Sequence, residues 1–214
     1  DGRRCSYVNF IGYSLIEYIE LYIGGTKIDR LTGEWMYIYN ELNIREYKKR
    51  GYNEMIGGKE FIAYDSITGN KGGIYIVPLN FWFNKESGMA LPLVALQYHD
   101  VEIKLKIRDF DKLWVTSDGL EPSGKFSIND CQIAIEYVYL DSKERKMFAQ
   151  SNHEYLIKQT QYSLNNNILA NEKNRTIQLN FFHPIIELIW VVQNKNKLKS
   201  KENGGNDYFN YSKT

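Results

Sequence analysis

Metal binding and proton transfer would fall first to histidine, and the chain has three: His99, His153 and His183. No two stand at H-x-H or H-E-x-x-H spacing, the separations that bring two imidazoles to one metal. A cupin-like metalloenzyme needs clustered His and Glu on adjacent strands, so the three read as structural residues. His153-Glu154 is expected to make an ordinary polar contact rather than a proton relay. Glu17, Glu20 and Asp29 are the candidate carboxylates for acid–base work, but they fall in a strand-and-turn region of alternating exposure and are expected on solvated faces. No Ser-His-Asp order, nucleophile elbow or phosphate loop is visible. Gly24-Gly25 and Gly57-Gly58 lack the spacing of a phosphate cradle and read as turns. The expectation is therefore no catalytic residue, no cofactor and no metal site: not an enzyme.

The remaining reactive types point the same way. Cys5 and Cys131 are the only cysteines, too few for a disulfide framework or a metal site. They are expected as reduced, buried thiols, which fits an intracellular assembly site. Lys195, Lys197, Lys199 and Lys201 alternate, and a strand would set them on one face toward nucleic acid or an acidic neighbour. Among the surrounding Asn and Ser they read as a solvated loop. Asn174 and Asn210 sit in glycosylation-acceptor triplets, a pattern common by chance that also requires secretory passage. With 27 basic against 26 acidic residues, the net charge of +1 supplies no global field toward nucleic acid or an anionic membrane. No run of eighteen apolar residues is present to span a bilayer. The chain begins Asp1-Gly2-Arg3-Arg4, with no Met and no signal-peptide pattern.

The elements that would carry these residues are mostly strands. In 101–108, Val101, Ile103, Leu105 and Ile107 share one face and Glu102, Lys104, Lys106 and Arg108 the other. Burying the four aliphatic side chains is worth roughly 6–10 kcal/mol before entropy, so the register should be firm. In 74–83, Tyr75, Val77, Leu79, Phe81 and Phe83 line one face of a strand and the opposite face is also largely apolar. Such a strand is covered on both sides, with Pro78 marking an edge or a bulge. Residues 3–10 read as the end of a strand. Ile19, Leu21 and Ile23 point inward while Tyr18, Glu20 and Tyr22 point outward, and Gly24-Gly25 then closes a tight turn. Trp35, Ile38, Tyr39 and Leu42 recur at helical spacing over Gly33–Asn43.

Residues 45–73 read as a long loop with a brief strand near Phe61–Tyr64, and 110–129 as another loop. Further strands are expected at 131–139, 155–161, 177–181 and 185–193, and a short helix at Ser142–Gln150 behind an Asp141/Glu144 capping box. The stretch 162–174 is Asn-rich and marks a boundary, and the tail 194–214 is polar with little core. About seven to nine strands, two short helices and several long loops make an all-β sandwich. The aromatic load is heavy, with seventeen Tyr, ten Phe and four Trp. Residues such as Tyr18, Tyr22 and Trp82 either cover their own sheet or, exposed at strand edges, serve subunit interfaces.

Four segments carry a resemblance: IELYIGGTKIDRLTGEWMYIYNEL (19–42), VPLNFWFNKESGMALPLVALQYHDVEI (77–103), YLDSKERKMFAQSNHEYLIKQTQ (139–161) and LNFFHPIIELIWVVQ (179–193). Together they resemble the double jelly-roll major capsid protein of large icosahedral nucleocytoplasmic DNA viruses. The resemblance implies an all-β jelly-roll β-sandwich, doubled in the full protein, with short helices and long loops. It implies residues 1–158 as a first jelly roll without its N-terminal strand, and 159–214 as the opening strands of a second. Three copies would form a pseudo-hexagonal capsomer of an icosahedral shell, beside minor capsid and penton proteins. The setting would be the virion, assembled in the host cytoplasm, with no specific nucleic acid and no membrane span. The chain is expected to be incomplete, with a gene fragment, a split gene and an incomplete record all open. Missing strands would leave open edges, so the chain expressed alone is expected to be poorly soluble. The alternative is a jelly-roll glycan-binding or attachment module using loops such as 45–73.

Overall fold

The computed structural model describes residues 5–58, 73–116, 127–163, 167–169, 171–198 and 206–211. Chain order is β1 (Cys5–Tyr7), α1 (Ile11–Leu15), β2 (Ile16–Ile23), β3 (Thr26–Thr32), α2 (Gly33–Asn43), α3 (Glu46–Ile56), β4 (Val101–Ile107), β5 (Trp114–Thr116) and α4 (Ser142–Gln150). Short 3-10 turns lie at Trp82–Asn84, Ser87–Met89, Phe110–Lys112 and Lys195–Leu198. The strands form two antiparallel sheets, β3-β2-β4 and β1-β5.

The β2–β3 hairpin follows from its turn. Gly24 and Gly25 take φ of 58° and 75°, and Ile23 pairs directly with Thr26. A two-residue turn with both φ positive matches the twist of the flanking strands, and glycine adopts it without a Cβ clash. β2 lies between β3 and β4, with Ile19 opposite Leu31 and Leu105, and Leu21 opposite Asp29 and Ile103. Cross-strand partners share a face. Ile19, Leu21 and Leu31 on that face are buried, together with Tyr13, Met36 and Phe81 from the elements packed over it. The 101–107 strand forms as expected, but only Val101 and Ile103 of its four aliphatic residues pack on the core, and Leu105 and Ile107 remain 38% and 40% exposed. Alternation selects which face is apolar; it does not supply the layer that covers it.

β3 runs straight into α2. Thr32 ends the strand and its hydroxyl accepts from Trp35 N at 3.2 Å, capping the helix. The helix has the expected bounds but a different buried face. Met36 and Asn40 point inward, whereas Leu42 is 60% exposed. Gly33 explains the close seat: a Cβ there would run into the carbonyl oxygens of Tyr13 and Ile16.

Other expectations are corrected. Residues 46–56 form α3 rather than loop. Its surface is polar enough to hide the periodicity, and only Ile56 is buried. Gly57, read as part of a turn, is its left-handed C-cap, with φ 75°. Residues 74–81 join no ladder. Tyr75, Val77 and Leu79 pack on the core and Phe81 is buried, but the opposite face is not covered as expected, since Ile74 and Ile76 are 92% and 58% exposed. The segments 131–139, 155–161, 177–181 and 185–193 form no ladder among the described residues either. A strand needs a partner for its N–H and C=O groups, and residue pattern does not name one. The tail is not merely a polar loop, because Asn206, Tyr208 and Phe209 are buried. Asn206 Nδ2 donates to the carbonyls of Asp111 (3.1 Å) and Trp114 (2.9 Å), and Phe209 stacks on Tyr37 at 4.6 Å. The expected strand at Phe61–Tyr64 lies outside the described residues.

Candidate interaction surface

The three carboxylates do not converge. Glu20 is paired with Arg30 and Lys104, and Asp29 with Leu21, so the two side chains project from opposite faces of the sheet. Neither is solvated as expected: Glu20 is 8% exposed and Asp29 5%. Lys27 (3.5 Å), Arg30 (3.9 Å) and the Tyr22 hydroxyl (3.1 Å) close over Glu20. Asp29 turns into the apolar face, and burial pushes its carboxyl up to about 6. Glu17 stays at the surface with Lys106 Nζ at 2.9 Å.

The histidines are scattered. His99 sits under the β2–β3 turn, where Gly24 leaves room for its ring, and His183 is exposed. His153 Nε2 donates to the Phe148 carbonyl at 2.6 Å, the ordinary polar contact expected of it. Among the described residues, no group of three or more His, Cys, Asp or Glu could hold a metal ion. Cys131 is a free, exposed thiol, not a buried one, because the segment around it has no covering layer. Lys195 and Lys197 fall in a 3-10 turn rather than on a strand face, and Lys199 and Lys201 lie outside the described residues. Asn174 is exposed, while Asn210 is half-buried with its Nδ2 donating to Asp207 Oδ2 at 2.8 Å.

On the polar face of the sheet, Tyr18 lies under Arg30 (4.0 Å to the ring centre) and Tyr22 under Lys104 (3.9 Å). These rings are half-buried by cations of their own sheet. Trp82, offered as an exposed edge residue, is 6% exposed and belongs to the core. Arg108, placed on the solvated face from its alternation, lies past the end of β4 and turns inward. Its Nη2 donates to Glu34 Oε1 at 2.6 Å, its Nε to the Ser14 carbonyl at 2.9 Å, and its guanidinium covers the Tyr208 ring at 4.4 Å.

What remains open is apolar. Ile133, Ile135 and Tyr137 are more than half exposed in one segment that joins no ladder, and Ile186, Leu188 and Trp190 in another. β4 has β2 on one side and no strand on the other among the described residues. Exposed apolar chain and an open sheet edge are what strand addition and subunit packing consume.

Residues 3–141 match the family model described as major capsid protein N-terminus, and residues 144–214 match that of the large eukaryotic DNA virus major capsid protein. The chain is 37% identical over 216 residues to the major capsid protein of Phaeocystis pouchetii virus, a match covering 87% of this chain and 41% of that protein. It is 40% identical over 183 residues to the major capsid protein of Pyramimonas orientalis virus, covering 84% and 43%. The chain thus spans about two-fifths of the length of these curated relatives. A crystal structure of PBCV-1 VP54, fitted into a cryo-EM reconstruction of the virophage Sputnik, superposes with a TM-score of 0.54 at 27% identity, covering 74% of this chain and 37% of that one. A quasi-atomic model of the PBCV-1 virus capsid gives a TM-score of 0.53 at 27% identity, covering 73% and 38%. The fold is accordingly the all-β jelly-roll sandwich of the double jelly-roll capsid proteins, with short helices and long loops. By sequence and by fold, the chain belongs to the major capsid protein family of large eukaryotic DNA viruses.

Proposed function

We propose that this chain is wall material, part of a major capsid protein whose activity is assembly with copies of itself. The observation that carries the reading is the exposed apolar chain at 133–137 and 186–190, on a molecule whose matched family consists of capsid proteins. Three copies form a pseudo-hexagonal capsomer, and capsomers tile an icosahedral shell. Obligate interfaces of this kind bury more than about 2,000 Å². Residues 1–158 belong to the first jelly roll and 159–214 open the second. Minor capsid and penton proteins are further partners, the shell of the virion is the location, and assembly takes place in the host cytoplasm. The role is structural, without catalysis, cofactor or metal. Asn174, being exposed, is the better glycosylation candidate of the two, since Asn210 is engaged with Asp207. Nothing in the relatives named above supports the glycan-binding alternative.

Sedimentation of the full-length protein tests this reading. A trimer at micromolar concentration is expected, and a stable monomer there would overturn it.

A further inference from the structure

The tail segment 206–209 is held differently on its two sides. Its backbone faces the stretch just before it in the chain. Asp207 N donates to the Lys197 carbonyl at 2.8 Å, and Gln193 Nε2 donates to the carbonyls of Asp207 and Tyr208 at 3.3 and 2.7 Å. Its side chains face the other way, where Asn206, Tyr208 and Phe209 are all buried. Backbone bonds of this kind are open to any sequence. Side-chain contacts depend on which residues the segment carries.

Each of the three buried side chains meets a matching group. Asn206 Nδ2 donates to the carbonyls of Asp111 and Trp114, while the Tyr208 hydroxyl donates to Asn206 Oδ1 at 3.4 Å and so holds the amide with its nitrogen toward those carbonyls. Asn206 has a left-handed φ of 57°, a region asparagine enters more readily than most side chains. Aspartate would keep the shape but has no donor, and would set a carboxylate against two carbonyl oxygens. Glycine would keep the backbone and lose both bonds. Tyr208 lies under the Arg108 guanidinium. Phe209 stacks on Tyr37 and meets Phe10 edge-on at 5.8 Å. The Asp207 carboxylate turns instead to Asn210 of the tail itself.

We infer that Phe10, Tyr37, Arg108 and the carbonyls of Asp111 and Trp114 form a peptide-recognition groove. Its ligand is an Asn-x-Tyr-Phe segment, supplied here by residues 206–209 of the same chain. Because the groove reads side chains, the ligand does not have to be covalently joined to it. A segment on a short tether meets its site at an effective concentration on the order of millimolar. A segment that fills the site under those conditions binds as a separate peptide with a Kd below about 1 mM. On the division proposed above, the groove belongs to the first roll and its ligand to the second, so the contact joins the two. The groove itself rests neither on that division nor on assembly.

Fluorescence anisotropy of a labelled hexapeptide with the sequence of residues 206–211, Asn-Asp-Tyr-Phe-Asn-Tyr, tests the groove. The target is the full-length protein carrying Asn206→Asp and Phe209→Ala, whose own segment has lost its hold. Saturable binding with a Kd below about 1 mM is expected. Peptides carrying Asn206→Asp or Phe209→Ala are expected to bind at least ~10-fold more weakly. The wild-type protein, its groove already filled, should also bind the hexapeptide at least ~10-fold more weakly. No saturable binding, equal binding of the three peptides, or equal binding to the wild type would overturn the proposal. If the double variant fails to fold, Asn206→Asp alone, which keeps both rings, takes its place. The three peptides must then bind in the same order, and any other order overturns the groove. A monomer in sedimentation would sink the assembly reading and leave these titrations unchanged.

Discussion

Arg108→Ala should be among the costliest single changes outside the aliphatic core, because one guanidinium joins four parts of the molecule. It reaches Ser14 in α1, Glu34 in the first turn of α2 and Tyr208 in the tail, and its own backbone N donates to Leu15 O at the end of β4. The backbone bond survives the substitution and the other contacts do not. The Glu34 pair is the shortest, but the Glu34 side chain is 35% exposed, so solvent takes over much of its role and its share is about 1 kcal/mol. The Ser14 carbonyl loses a charged donor, worth about 1.5 kcal/mol, and the ring contact adds about 0.5 kcal/mol. The sum is about 3 kcal/mol, or a Tm lowered by ~6–12 °C for a domain of this size. Trp114 and Trp82, 2% and 6% exposed, report unfolding by fluorescence in the full-length protein at fixed concentration. Arg108→Lys keeps the charge without the planar fork and should recover only about half of the loss. A loss below about 1 kcal/mol for Arg108→Ala would refute the reasoning and make the contacts incidental.

Two other changes test local geometry. Gly33→Ala forces a methyl group against the Tyr13 and Ile16 carbonyls and is expected to cost ~1–3 kcal/mol, despite the better helix propensity of alanine; an unchanged or raised Tm would contradict the close seat of α2. Asp141→Ala removes the side chain that accepts from Glu144 N at 2.8 Å and should cost about 1 kcal/mol, read as faster amide exchange over the first turn of α4, with exchange at wild-type rates counting against the cap.

Local signals were legible wherever they needed no distant partner. Gly24-Gly25 dictated a hairpin turn, and Asp141 with Glu144 dictated a helix start. The alternation in 101–107 marked which of its faces is apolar, and one of the two apolar faces read in 75–81, that of Tyr75, Val77, Leu79 and Phe81, meets the core even though no ladder forms. Four quoted segments were enough for the resemblance to capsid proteins. The helix at 46–56 was not legible, because a surface helix with only Ile56 buried leaves no apolar stripe to count.

Burial of polar groups was decided by the fold alone. Asp29 and Glu20 belong to one alternating pattern, but a bulge and a neighbouring segment more than a hundred residues away determine that one carboxyl enters the core while cations close over the other. Arg108 follows the charged face of β4 in sequence and turns inward only because α1, α2 and the tail converge there. The tail's Asn206, Tyr208 and Phe209 looked like surface loop until the strand ending at Thr116 and the Tyr37 ring offered them carbonyls and a stacking face. A sequence states which groups are apolar, charged or conformationally free, since those are properties of single residues and their near neighbours. Which groups lose water depends on what the chain brings from far away, and only tertiary structure supplies that.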